Sequence, residues 1–154
     1  MSPREGCCVV AWLLAVATVG TSGPPSGGPS IVIAQQQRTV WDAVYTSEQA
    51  DRGQKLYDEQ CARCHGDGLT GVESAPPLTG AEFAGNWEGV PLGDLFERMR
   101  MSMPQDKPGS LSRPQNADIL AYMLRVGGFP AGEKPLDGQA GALGQITFKM
   151  YRPQ

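Results

Sequence analysis

The first hydrophobic feature of the chain is an almost uninterrupted apolar run from Cys7 to Val19, after a short polar start with Arg4 and before a stretch rich in Gly, Pro and Ser. This order of segments is typical of an export signal, and the run is shorter than the about 20 apolar residues that a transmembrane helix needs. We predict a signal peptide over residues 1–34, a mature start at Gln35 and no stable membrane insertion after its removal. The alternative is an uncleaved N-terminal anchor.

Apolar residues recur at helical spacing in a segment that contains Gly53, Leu56 and Tyr57. Its start is predicted at Thr46 and Gln49, which have the spacing of a capping box. A glycine inside a helix costs about 1 kcal/mol relative to alanine. We therefore expect Gly53 to allow the close approach of another helix, with a tolerated surface glycine as the alternative.

A second helix is predicted from Ser112 and Gln115, another capping-box pair, with Pro114 in the first turn. Gly127 and Gly128 end it. Its apolar residues are spaced for one buried face and are Ile119, Leu120, Tyr122 and Met123.

A further helix is predicted from about Leu92. It ends near Met103, because Pro104 disfavours helical geometry at the residue before it. An extended loop is expected to follow.

Composition and charge narrow the fold and the function. The chain has 154 residues with 20 Gly and 13 Pro, which predicts one domain with many turns and long loops. Its formal charge of −3 comes with scattered basic residues, so we exclude nucleic acid as a partner.

Residues 132–154 fit no part of the helical pattern. Because Ile146, Phe148 and Met150 alternate with polar residues, this extension is either an extended segment across the domain or a disordered end.

Once the signal is removed, two cysteines remain, in the motif Cys61-Ala62-Arg63-Cys64-His65 with the only histidine of the chain. A structural zinc site needs four ligands, and the mature chain offers two Cys and one His with no second pair. A thioredoxin-like redox pair needs a strand before the motif, whereas the preceding segment is helical in pattern. The remaining interpretation is covalent attachment of one haem c: both thiols form thioethers, and His65 ligates the iron.

Because the sequence has no second histidine, the second axial ligand must be a methionine, another side chain or nothing, and we predict a methionine. Met103 precedes Pro104 at a predicted helix end, where a loop can turn its thioether towards the iron. Met99 and Met101, on the helix before it, are expected to be gap-filling core residues. The predicted metal ligands are therefore His65 and Met103.

From about Ser47 to Phe129 the chain resembles class I c-type cytochromes. In that family the first helix carries a glycine and an aromatic residue and crosses a C-terminal helix with an aromatic residue, which Gly53, Tyr57 and Tyr122 match. The resemblance implies an all-α, cytochrome c-like small helical domain, over residues 35–131, with long loops wrapped around one covalently bound haem. It also implies export, because haem attachment in bacteria takes place outside the cytoplasmic membrane, and we predict a periplasmic location.

Two more residues are assigned through this resemblance. Pro76 resembles the family proline whose carbonyl accepts a hydrogen bond from the iron-ligating imidazole. Trp87 is similar to a tryptophan that many bacterial members place beside the haem, within reach of a propionate; an ordinary packed tryptophan is an equal alternative. The segment Met103-Pro104 is similar to the ligand loop of small cytochromes associated with quinoprotein dehydrogenases.

The predicted function is electron transfer, because an iron with both axial positions filled has no place for a substrate or dioxygen. We predict an electron carrier and not an enzyme. The resemblance implies a quinoprotein dehydrogenase as donor and an oxidase as acceptor. The alternatives are a haem-based gas sensor or enzyme with an open or labile sixth position, and a membrane-tethered redox subunit.

Overall fold

The computed structural model describes residues 37–73 and 75–154. The predicted signal peptide, with Cys7 and Cys8, lies outside the described residues. Within them the chain forms two short strands and six helices, in the order β1 (Arg38–Thr39), α1 (Ser47–Gln60), α2 (Ala62–His65), α3 (Gly80–Trp87), α4 (Leu92–Ser102), α5 (Arg113–Val126), α6 (Ala140–Leu143) and β2 (Ile146–Thr147). The predicted all-α fold is confirmed, and only four of the described residues lie in strands.

Helices α1 and α5 pack closely against each other at Gly53. A Cβ atom at this position would overlap the backbone carbonyl of Asp118 on α5, so the expected close approach is confirmed. One turn later, the rings of Tyr57 and Tyr122 lie with their centroids 5.4 Å apart. Beside the crossing, Arg52 Nε donates to Asp118 Oδ2 at 2.9 Å. The crossing fixes the end of α1 and, with it, the cysteine motif that follows.

The two predicted capping boxes differ in the structure. At α5, the Ser112 hydroxyl accepts from the Gln115 backbone N–H, and the Gln115 side chain accepts from the Ser112 backbone N–H at 2.9 Å. At α1, only the Thr46 hydroxyl takes part, accepting from the Gln49 N–H at 3.2 Å. The buried Gln49 amide instead binds the Leu136 backbone through both its oxygen and its nitrogen. This long-range pairing holds the C-terminal segment against α1.

After the short helix α6, residues 146–149 of the C-terminal segment pack on the core as an extended stretch. An extended segment was the first of the two alternatives for this region. Strand β2 pairs in parallel with β1, and the Trp41 indole N–H donates to the Lys149 carbonyl at 2.9 Å. Phe148 is buried between Phe83 and Phe129, with ring centroids 5.7 and 5.4 Å away in edge-to-face geometry. Leu136, Leu143, Ile146 and Phe148 of this segment thus belong to the hydrophobic core.

Among residues 37–73 and 75–154, none of the helices has both the length and the apolar character needed to cross a bilayer.

Candidate functional site

The two cysteines lie on one turn of backbone directly after α1. The Cys61 N–H donates to the Tyr57 carbonyl at 2.8 Å, and the Cys64 and His65 N–H groups donate to the Cys61 carbonyl at 3.1 and 3.0 Å. Residues three apart on a helical turn face the same side. Both cysteines are free thiols, Cys61 half-buried and Cys64 exposed. The turn therefore presents two thiols to one side and delivers His65 directly after them.

The acidity of Cys61 does not suit thiol redox catalysis. Burial, with the neighbouring Cys64 adding to its effect, raises the pKa of Cys61 to about 11. Reactive cysteines in redox motifs have lowered pKa values, because the thiolate is the nucleophile. At neutral pH the Cys61 thiol is protonated, in contrast to the attacking thiol of a thioredoxin-like pair.

The His65 imidazole is buried and oriented by one hydrogen bond. Its Nδ1 lies 2.8 Å from the Pro76 carbonyl oxygen, so the contact expected between these residues is present. A carbonyl only accepts hydrogen bonds, which places the proton on Nδ1 and leaves the Nε2 lone pair available for a metal. A bond of this kind holds the ring orientation and raises the basicity of the ligating nitrogen.

Gly71 brings the Pro76 segment to His65. Its N–H donates to the His65 carbonyl at 2.9 Å, and its φ of +76° is in the left-handed region. A Cβ atom here would lie 2.7 Å from Pro77 N and 2.9 Å from the Ala75 carbonyl oxygen, so only glycine fits without a shift. The sequence analysis did not select Gly71. The available signal was a glycine between the histidine and the Pro-Pro pair.

Met103 lies at the end of α4, with extended backbone (φ −123°, ψ 151°) and a half-buried side chain. The helix therefore ends where Pro104 predicted. Met99 packs partly buried against the core, as expected. Met101 is 66% exposed, so its expected core position is wrong. It is two residues beyond Met99, about 200° around the helix, and so faces away from the core.

Trp87 is the last residue of α3 and is half-buried, with its ring centroid 6.2 Å from that of Phe83. Phe83 lines a mostly apolar cavity of about 140 Å³. Other residues around this cavity come from the segment after Pro76, from α4, α5 and the C-terminal segment, and include Leu78, Leu95, Leu120, Met123 and Met150.

The residues present fit a haem c. Two free thiols share one side of a turn, and the imidazole directly after them is oriented through Nδ1. The structure directly joins Cys61, Cys64, His65 and Pro76 through backbone and side-chain hydrogen bonds. Asp106, in the loop that follows Met103, forms an ion pair with Arg63 of the cysteine motif at 3.3 Å. This contact connects the Met103 loop to the motif.

The chain is similar to known cytochrome c-type proteins. Residues 48–123 match the family described as cytochrome c oxidase, cbb3-type, subunit III. The chain is also similar to a thiosulfate dehydrogenase from Stutzerimonas stutzeri (strain A1501), with 37% identity over 79 residues, which covers 47% of this chain and 25% of the relative. It thus spans about a quarter of the length of that relative.

The solved structure of the sulfane dehydrogenase SoxCD from Paracoccus pantotrophus aligns at 22% identity and a TM-score of 0.44, covering 71% of this chain and 60% of that chain.

Proposed function

The chain carries a cytochrome c-type domain of the class I kind, and from this premise we propose that its mature part is a monohaem electron carrier in the periplasm. The observation that carries the proposal is the buried His65 imidazole, which is oriented through Nδ1 by the Pro76 carbonyl and lies directly after two free thiols. This combination of residues is suited to covalent haem attachment with one histidine ligand.

Each residue has a distinct role in this proposal. Cys61 and Cys64 would hold the haem through thioethers, and His65 and Met103 would be its axial ligands. When bound, haem c supplies a one-electron couple between ferric and ferrous iron. Pro76 keeps the proton on Nδ1 of His65, and the apolar core excludes water. A thioether favours ferrous iron, so the Met103 side chain would raise the reduction potential relative to a second histidine.

The proposed partners are a dehydrogenase that donates electrons and an oxidase that accepts them. The similarity to a thiosulfate dehydrogenase favours a donor that oxidises a reduced sulfur compound. A quinoprotein dehydrogenase remains the donor implied by the sequence resemblance. These two donors are distinguished by mixing the oxidised protein with each reduced enzyme and following haem reduction.

A second candidate is an electron-accepting domain of a larger enzyme. The match covers only 25% of the thiosulfate dehydrogenase, so that relative contains much that this chain does not align with. In this candidate function the haem domain has the same ligands, but it works in a stable complex with a catalytic subunit. Co-purification of the exported protein with a sulfur-oxidising subunit would favour the second candidate over a freely diffusing carrier.

The first test is carbon monoxide binding by the dithionite-reduced holoprotein at neutral pH. We expect the wild-type protein to resist carbon monoxide, because Met103 occupies the sixth position, and Met103→Ala to bind it readily. Met101→Ala is the matched control, since Met101 is exposed in the last turn of α4, two residues before Met103, and its loss should leave binding unchanged. Ready binding by the wild-type protein would contradict the carrier and favour a sensor or enzyme.

A further inference from the structure

Two exposed side chains connect the segments that carry the proposed axial ligands. The Arg63 guanidinium donates to Asp106 Oδ2 at 3.3 Å, with side chains 80% and 53% exposed. Arg63 lies on α2 between the two cysteines. Asp106 lies three residues after Met103 in the loop that leaves α4. The pair therefore bridges the haem motif and the ligand loop.

The loop has few other attachments. Residues 105–110 are all exposed, whereas Pro104 before them is buried. Their backbone bonds are local turns, from Lys107 N–H to the Pro104 carbonyl at 3.0 Å and from Ser110 N–H to the Lys107 carbonyl at 3.2 Å. Among the hydrogen bonds of residues 37–73 and 75–154, the bond to Arg63 is the only one that ties a side chain of 105–110 to another segment. The ion pair is thus well placed to control how this loop opens.

We propose that Asp106 is a positioning residue that keeps Met103 in the sixth position by latching its loop to Arg63. The proposal rests on the proposed function, in which Met103 is an axial ligand. Arg63 is a suitable fixed point, because thioethers at Cys61 and Cys64 would immobilise the backbone on both sides of it. When the pair breaks, residues 105–110 are free to move away, and Met103 leaves more often.

The size and salt dependence of this effect follow from the exposure of the pair. Exposed ion pairs contribute modestly, which corresponds to about a two- to fivefold change in an opening equilibrium. Their attraction is screened by salt, with a Debye length of about 3 Å at 1 M. The latch should therefore operate at low ionic strength and be lost at high salt.

The test is a titration of ferric holoprotein with imidazole, which binds only where Met103 has left. Its apparent affinity reports the open fraction. We expect Asp106→Asn to bind imidazole about two- to fivefold more tightly than wild type at low salt, with a lowered reduction potential, and to match wild type in about 1 M NaCl. Arg63→Gln should have the same effect, and the double variant should show no further change.

The controls separate the latch from general charge effects. Asp106→Glu should bind imidazole as wild type does, because it keeps the carboxylate. Glu133→Gln removes an acidic charge from the C-terminal segment and should also leave the affinity unchanged. Equal affinities for Asp106→Asn and wild type at low salt, or a difference that persists at high salt, would overturn the latch alone. Imidazole binding by wild type as tight as by Met103→Ala would overturn the ligand assignment as well.

Discussion

Gly71 and Gly89 have nearly the same backbone conformation, with φ of +76° and +78°, but different surroundings. A Cβ at Gly71 would press on the Pro76–Pro77 backbone, whereas a Cβ at Gly89 would meet nothing within 4 Å. Comparing alanine at the two positions therefore separates the cost of a left-handed φ from the cost of moving Pro76.

We expect Gly71→Ala to lower the free energy of unfolding by about 2–3 kcal/mol and Gly89→Ala by about 1 kcal/mol. Only Gly71→Ala should also shift the reduction potential, because it displaces the carbonyl that orients His65. Denaturant unfolding and a redox titration of the two holoproteins test this. An unchanged reduction potential in Gly71→Ala would show that the hydrogen bond between His65 and the Pro76 carbonyl survives the substitution.

Single residues also show where sequence reasoning succeeded and where it did not. The end of α4 at Met103 was predictable, because Pro104 acts on the residue beside it. The exposure of Met101 was also available from helical periodicity but was missed. The pairing of Gln49 with Leu136 was not predictable, because its partner lies far along the chain and no local pattern marks it.

Among the elements, the crossing of α1 and α5 depends on Gly53, which has no side chain to separate the two helices. Gly53→Ala would push a methyl group into the Asp118 carbonyl and force the two helices apart. We expect a loss of about 2–4 kcal/mol in the free energy of unfolding, despite the higher helix propensity of alanine.

The matched control for Gly53→Ala is Gly85→Ala on α3, where a Cβ would meet nothing within 4 Å. This substitution should stabilise the protein by about 0.5–1 kcal/mol, because alanine has the higher helix propensity and meets no neighbour there. Thermal unfolding of both variants measures the difference in stability. Similar effects of the two substitutions would mean that the helices can separate at little cost.

At the scale of the elements, helices were easier to anticipate than their packing. The caps at Thr46 and Ser112 depend only on residues three positions apart in the sequence, and the structure confirms both helix starts. The pairing of β1 with β2 involves two residues on each side, too few for a periodic signal. Only the alternation of Ile146 and Phe148 indicated that an extended segment was possible.

At the scale of the whole molecule, Glu88, the residue after α3, binds the C-terminal segment. Its carboxylate accepts from the Met150 N–H at 2.7 Å and from Lys149 Nζ at 3.1 Å. These two bonds, the backbone bond first, hold the pKa of Glu88 below its ordinary value. A lowered folded-state pKa means that the contact stabilises the fold above the ordinary carboxyl range and is lost as the pH falls through the folded value.

We expect Glu88→Gln to lower the free energy of unfolding at pH 7 by about 1 kcal/mol or less, because the Glu88 side chain is 45% exposed and its ion pair is screened by solvent. The difference from wild type should shrink as the pH falls through the lowered pKa of Glu88, because the protonated carboxyl loses its charge. Urea unfolding at pH 7 and at an acidic pH below that pKa measures it, with Glu133→Gln as a control. A difference of the same size at both pH values would contradict the electrostatic origin.

The pairing of β1 with β2 has a consequence for the order in which the protein forms. Trp41 and Lys149 lie 108 positions apart in the chain, so their contact closes almost the entire described sequence into one loop. Closing so long a loop is entropically costly and slow compared with local contacts. We therefore expect β1 to pair with β2 only late in folding, after the helices have formed.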